Sequence, residues 1–111
     1  MKDHEIIELV FKCVAKKYRM QWQDINRTYT NPSGFKQLYS GHKTKRVVIA
    51  TILSYYIHVD IIADALKASS LTVQKWISKG VDFIQEDSQA YRIYIDISNH
   101  LEELYYIKTA A

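Results

Sequence analysis

Hydrophobic residues recur at spacings of three and four along most of this 111-residue chain, which is typical of amphipathic α-helices. The pattern is clearest near the start, where it predicts a first helix over about Asp3–Arg19. The same periodicity predicts five further helices, at about Gln21–Arg27, Lys45–Ile57, Asp60–Leu66, Leu71–Ile84 and Gln89–Tyr106. Only three glycines and one proline interrupt the chain. We therefore expect an all-α, compact bundle of about six helices, forming one domain over residues 1–111.

The segment Lys45–Ile57 is apolar over more than half of its circumference, which predicts a central helix contacted from several sides. We expect Thr44 to cap its N-terminus. Asp87 and Ser88 are expected to cap the final helix in the same way. The apolar stripe of that last helix consists of Ile93, Ile97, Leu101 and Leu104.

The least helical stretch is Thr28–Thr44, which carries turn signals at Asn31–Gly34 and Ser40–Gly41. Seventeen residues is long for a loop in a compact domain. We therefore expect it to be functional, or partly ordered by a turn of helix at Phe35–Tyr39. Its last part, His42–Arg46, is basic, so residues 28–46 are predicted to form a basic loop.

Residues 59–79 have the spacing of a helix-turn-helix. Ala63 supplies the small residue where the two helices cross, and the turn follows it. The apolar positions around this crossing are filled by Ile62, Leu66, Val73 and Trp76. Lys67 stands where the turn commonly has glycine, which predicts an uncomfortable backbone conformation. The alternative interpretation is a plain helical hairpin, common in all-α proteins.

The remaining face of the second helix points away from the predicted core, where a recognition helix meets the major groove. Gln74 can pair bidentately with adenine, Lys75 can reach guanine, and Leu71 can pack on a thymine methyl. We expect modest discrimination, so that a regulator needs a second copy, through homodimerisation or adjacent sites. The DNA contacts expected in this segment are Lys67, Ser69, Ser70, Leu71, Thr72, Gln74, Lys75 and Lys79.

Charge is distributed unevenly, although the net charge is only +3. Residues 25–81 hold eight basic and two acidic residues, a balance of +6, whereas residues 82–111 hold two basic and six acidic residues, a balance of −4. No acidic residue lies between Asp24 and Asp60. A positive middle and a negative tail indicate a face that meets an anion, and double-stranded DNA is the partner we expect.

The sequence carries no pattern of an enzyme or a metal site. It has no glycine-rich phosphate-binding loop, and its four histidines are scattered. Cys13, the only cysteine, lies in an apolar stripe and is expected to be a buried core thiol. We expect no catalytic residue, cofactor, metal or small-molecule substrate. The nine tyrosines fall mostly at core-like spacings, which favours packing over base stacking.

The opening residues Met1–Glu5 are charged, and no apolar run follows them as in a signal peptide. The longest uncharged apolar run, Val47–Ile57, is far shorter than the ~20 residues that cross a membrane. These features predict a cytoplasmic protein without membrane contact.

Five stretches carry a resemblance to a known family: Trp22–Ile25, Lys43–Ala50, Ile61–Leu66, Leu71–Trp76 and Ile84–Asp87. In order and content they resemble the C-terminal DNA-binding domain of the bacterial chromosomal replication initiator DnaA, one of the Trp-repressor-like folds. The likeness covers most of the chain. It implies that the recognition helix reads the major groove while a basic loop enters the minor groove. The loop contacts that it implies are Lys43, Lys45 and Arg46.

One departure from this family lies at the turn. The family signature Gly-Arg-Asp-His-Thr-Thr-Val is replaced by residues 67–73, in which only Thr72 and Val73 match. We therefore expect a different DNA target. The resemblance implies a stand-alone DNA-binding regulator of transcription or replication initiation. The alternative is a protein-interaction module on the same fold that no longer reads DNA, with the acidic C-terminal third as its surface.

Overall fold

The computed structural model describes the backbone of residues 2–110 and the side chains of residues 2–103. The described chain is mostly helical, as predicted. Its α-helices are α1 (Asp3–Lys17), α2 (Lys43–Ser54), α3 (Val59–Leu66), α4 (Ser70–Glu86) and α5 (Ser88–Ala110). Two short 3-10 segments cover Trp22–Asn26, where a helix was predicted, and Ser40–His42. A small hairpin consists of β1 (Thr28–Thr30) and β2 (Lys36–Leu38).

Helix α2 is the central helix, as its apolar circumference predicted. Every residue of Val47–Leu53 is buried, and α1, α3 and α4 all pack against it. The helix begins at Lys43, because the 3-10 segment Ser40–His42 leads directly into it. The predicted cap at Thr44 is therefore wrong, since Thr44 lies inside the first turn.

Three residues connect α3 to α4. Lys67 has φ 53° and ψ 45°, the left-handed conformation that the sequence indicated at the end of α3. Ser69 then caps α4, its Oγ accepting a hydrogen bond from the Thr72 amide at 3.1 Å. The apolar residues predicted at the contact between the two helices are all buried: Ile62, Ala63, Leu66, Val73 and Trp76.

Residues 28–38 form an antiparallel hairpin, so the turn of helix predicted at Phe35–Tyr39 is wrong. Asn31 sets the tight connection, because its Oδ1 accepts from the Phe35 amide at 3.0 Å. Gly34 makes this geometry accessible with φ 86°. Threonine and tyrosine in β1 favour the extended backbone. The paired residues are Thr28 with Leu38, Tyr29 with Gln37 and Thr30 with Lys36.

Helix α5 is the longest helix and packs on α1 and α4. The predicted cap at Asp87 is present, with Oδ2 accepting from the Ala90 amide at 2.9 Å, whereas Ser88 is the first residue of the helix and the cap predicted there is wrong. Its predicted stripe is buried at Ile93, Ile97 and Leu101, and Leu104 lies outside the described side chains. Cys13 of α1 is only half-buried, not a fully buried core thiol, and burial raises the pKa of its thiol. Among the described residues, no helix is both long enough and apolar enough to span a membrane.

Candidate nucleic-acid interface

The outer face of α4 carries a mixed set of exposed side chains. Leu71 is 63% exposed, and Gln74 and Lys75 lie exposed beside it along the next turn. The opposite face of the helix is buried through Val73 and Trp76. The helix therefore presents amide, ammonium and apolar groups outward, which are the groups that contact base edges.

The hydroxyl groups at the start of α4 are engaged within the protein. Ser69 Oγ donates to Thr72 Oγ1 at 2.9 Å in addition to capping the helix. Ser70 Oγ donates to Asp60 Oδ1 at 2.7 Å, which ties α4 to α3. A phosphate oxygen needs a donor, and the Ser70 proton is already committed to a carboxylate. The contacts of Ser69 and Ser70 within the protein therefore serve to position α4.

The three predicted loop bases differ in their exposure. Lys43 is exposed. Lys45 is half-buried, with Nζ donating to the Gly41 carbonyl at 3.3 Å and lying 5.3 Å from the centre of the Tyr18 ring. Arg46 is only 2% exposed. Of these three cations, only Lys43 is exposed.

Arg46 serves the fold, which corrects its predicted role as a DNA contact. Its Nε donates to the Ile25 carbonyl at 2.9 Å and its Nη1 to the Tyr39 carbonyl at 3.0 Å. Burial lowers the pKa of this guanidinium. The physical reason is position along the helix: Arg46 lies one turn inside α2, where every residue from Arg46 to Leu53 is buried. Arg46 thereby joins the hairpin base and the preceding 3-10 segment to α2.

His42 adds little positive charge to this region at neutral pH. Burial lowers the pKa of its imidazole, and the neighbouring Arg46 and Lys45 lower it further. The ring therefore favours its neutral form, and the positive potential here comes from lysine and arginine.

An open cavity of about 280 Å³ lies between the start of α2 and the C-terminal half of α4. Lys43, Thr44 and Val47 line it from α2, and Lys79 and Phe83 line it from α4. Two cations from the two predicted parts of the site thus flank the same apolar depression. Lys75 precedes Lys79 by one helical turn and continues this basic edge along α4.

Gly80 explains why α2 and α4 approach so closely beneath this cavity. A Cβ at this position would collide with Thr51 Oγ1 and would lie 2.9 Å from Thr51 Cβ. Thr51 is itself fixed, its hydroxyl donating to the Val47 carbonyl at 2.7 Å. The relative placement of Lys43 and Lys79 therefore depends on a backbone contact at Gly80.

The hairpin presents aromatic groups that sequence reasoning did not assign to the site. Phe35 is 71% exposed at its tip, and Tyr29 and Tyr39 are each about two-fifths exposed. Their two tyrosine rings lie 5.0 Å apart. These two tyrosines do not belong to the core, and none of the tyrosines whose side chains the structure describes is buried, so the core packing predicted for most of them is wrong. The available signal was a Thr-Tyr-Thr segment before Asn-Pro-Ser-Gly, in a stretch free of acidic residues.

Within the described side chains, no group of three His, Cys, Asp or Glu residues is arranged to hold a metal ion. Comparisons with protein-family models, curated proteins and solved structures found no match. The chemistry of this surface is that of its own residues: lysine ammonium groups, one glutamine amide, and exposed apolar and aromatic groups. Groups of these kinds can contact phosphates through charge and bases through their edges and faces.

Proposed function

We propose that this chain is a non-enzymatic, DnaA C-terminal-domain-like regulator of transcription or replication that binds double-stranded DNA. In this proposal α3 and α4 act as a helix-turn-helix, and the start of α2 supplies a backbone contact. The observation that supports it best is the pairing of Lys43 and Lys79 around one cavity, beside the exposed face of α4. The surrounding residues 25–81 carry a balance of +6, which attracts a polyanion.

The α4 helix fits the major groove, which is about 12 Å wide and admits one helix. Gln74 would pair with adenine and Lys75 with guanine, while Leu71 packs on a thymine methyl. Lys43 and Lys79 would neutralise phosphates at the groove edge. Each specific base contact contributes ~1–3 kcal/mol, so one copy discriminates weakly. Two copies, as a homodimer or on adjacent sites, would supply the specificity of a regulator.

The charge part of this proposal is tested by fluorescence anisotropy on a random-sequence duplex at rising salt. We expect log K to fall with log salt with a slope of roughly −4 to −5. Replacing Lys43, Lys75 and Lys79 by Ala should flatten the slope by roughly 2–3 units. The matched control replaces the exposed Lys2, Lys16 and Arg92, which removes equal charge elsewhere. Equal slopes for the two triple variants would reject this site.

The base-reading part requires a duplex selected from a random pool. Gln74→Ala should weaken binding to that duplex by ~1–3 kcal/mol and leave random DNA almost unchanged. Ser78→Ala, one turn further along the same exposed face, is the control for a surface change. Equal losses on both duplexes would mean that α4 reads no bases.

A second candidate function is a protein-interaction module, favoured by an aromatic surface between α2 and α5. Tyr55 and Tyr91 are each at least half exposed, and the Tyr55 ring lies 5.6 Å from that of Tyr94. Exposed aromatic groups are enriched at protein interfaces. The salt series separates the two functions, because flat or absent DNA binding favours this module and steep salt dependence favours DNA.

A further inference from the structure

The hairpin contributes almost nothing to the core of the described structure. All of β1 is exposed, and in β2 only Leu38 is half-buried. A two-stranded ribbon with no covered face is marginally stable by itself. Large apolar groups displayed on such a ribbon are typical of a binding surface.

One face of the ribbon carries two neighbouring aromatic rings, those of Tyr29 and Tyr39, with centres 5.0 Å apart. Tyr29 pairs with Gln37, and the Tyr29 hydroxyl donates to Gln37 Oε1 at 3.0 Å. Because side chains alternate along a strand, Arg27 and Tyr39 belong to this same face. The Arg27 guanidinium carbon lies 6.0 Å from the centre of the Tyr39 ring. By the same alternation Phe35 belongs to this face, at the tip of the ribbon.

The positive charge of the ribbon favours a negatively charged partner. Arg27 and Lys36 are its cations, and the chain has no acidic residue between Asp24 and Asp60. A partner that presents many negative charges together with flat apolar faces is a nucleic acid.

The base of the ribbon is fixed beside the proposed DNA site. Asn26 Nδ2 donates to the Ala65 carbonyl at 2.7 Å, two residues before Lys67 and the turn into α4. On the other side, Arg46 Nη1 donates to the Tyr39 carbonyl at 3.0 Å. The ribbon therefore starts from a rigid attachment to the end of α3 and to α2.

We infer that the hairpin is a minor-groove wedge: Phe35 enters the minor groove of the duplex bound by α4, partly unstacks one base step and bends the DNA. This inference rests on the proposed function. The minor groove is about 6 Å wide, too narrow for a helix but wide enough for one side chain. Phenylalanine inserted in this way kinks a duplex by ~20–90°. Arg27 and Lys36 then contact the phosphates on either side.

The test measures DNA bending by energy transfer between dyes at the two ends of a selected duplex. The wild-type chain should shorten the end-to-end distance, and Phe35→Ala should abolish that shortening. The salt slope should stay unchanged in Phe35→Ala, because no charge is lost. Phe35→Leu should retain most of the bend, since leucine is also an apolar wedge. Circular dichroism should show that each variant keeps its helices, because Phe35 is exposed.

The control is Tyr91→Ala, which removes an aromatic group that is 50% exposed on the acidic helix α5. It should leave both affinity and bend unchanged. A full bend in Phe35→Ala, with DNA binding intact, would overturn the wedge and leave the proposed function standing. Stronger wild-type binding to a single strand than to the duplex would also overturn the wedge. Absence of any DNA binding by the wild-type chain would reject the proposed function itself.

Discussion

Lys67 holds a backbone conformation that a residue with a Cβ adopts at a cost. Its φ of 53° lets the chain turn sharply from α3 toward α4, and Arg19 has a similar φ of 55° after α1. Left-handed backbone costs a residue other than glycine about 1–2 kcal/mol. Glycine would relieve this strain at either position, but only Lys67 adjoins the proposed DNA surface.

We expect Lys67→Gly to raise the free energy of unfolding by about 0.5–1 kcal/mol, measured by urea denaturation. Arg19→Gly is the matched variant and should stabilise to a similar extent. On duplex DNA, Lys67→Gly should flatten the salt slope by about one unit, whereas Arg19→Gly should not. Lys67→Ala should change the slope equally without gaining stability. If neither glycine variant is more stable, the strain assigned to these positions is wrong.

At the residue scale, the sequence shows the basic cluster before the central helix but not the exposure of its members. Lys43, Lys45 and Arg46 look alike in a basic cluster, yet they lie exposed, half-buried and buried in turn. Position along α2 decides this difference, because Lys43 is the first residue of the helix and burial becomes continuous from Arg46 onward. The short 3-10 segment before Lys43 sets that start, and it has no periodic signal of its own.

Gly80 determines how closely α4 packs against α2. In an exposed helix, replacing glycine by alanine gains about 1 kcal/mol, because alanine is the better helix former. At Gly80 the added Cβ would enter the side chain of Thr51. Overpacking of this kind costs about 1–3 kcal/mol and pushes α4 away from α2.

Gly80→Ala should therefore lower the free energy of unfolding by about 1–3 kcal/mol and weaken DNA binding, because Lys43 and Lys79 move apart. Gly41→Ala is the control: open space surrounds that position, and a small effect is expected. Thr51→Ala removes the hydroxyl that the new Cβ would meet. Gly80→Ala should therefore lower the free energy of unfolding less in a Thr51→Ala background than in the wild-type chain. Equal stability of the Gly80 and Gly41 variants, by urea denaturation, would contradict the close contact.

The helices were predictable because all but the central α2 bury one face against a neighbour. Such burial imposes spacings of three and four on the sequence, most clearly in α3 and α4. The hairpin was not predictable in the same way. Its strands have three residues each and no buried face, so there is no alternation to read. Only turn chemistry at Asn31–Gly34 indicated that the chain reverses there.

On the scale of the whole molecule, charge follows the order of the chain. Residues 25–81 contribute the hairpin, α2, α3 and most of α4 with a balance of +6, whereas residues 82–111 contribute −4 and form mainly α5. The described chain measures 55 × 28 × 25 Å. Such an uneven charge turns a molecule during its approach to a polyanion, which raises association rates at low salt. The sequence alone predicted this imbalance, because it depends on counts and not on contacts.

The hairpin should exchange its backbone amide hydrogens faster than the core does, because its strands can open to water without unfolding of the helices. Helix α2 is covered on several sides, so its amide hydrogens exchange mainly when the whole domain unfolds. The ribbon has three residue pairs and no covering layer, so its amides exchange through local opening with a free energy near zero.

Mass spectrometry should thus find fast deuterium uptake at residues 28–38 and slow uptake at residues 47–53. Saturating duplex DNA should slow uptake in the first segment and leave the second unchanged. Uptake at residues 28–38 that is equally fast with and without bound DNA would show that the ribbon stays in solvent. The same segment would then be a fraying edge of the fold.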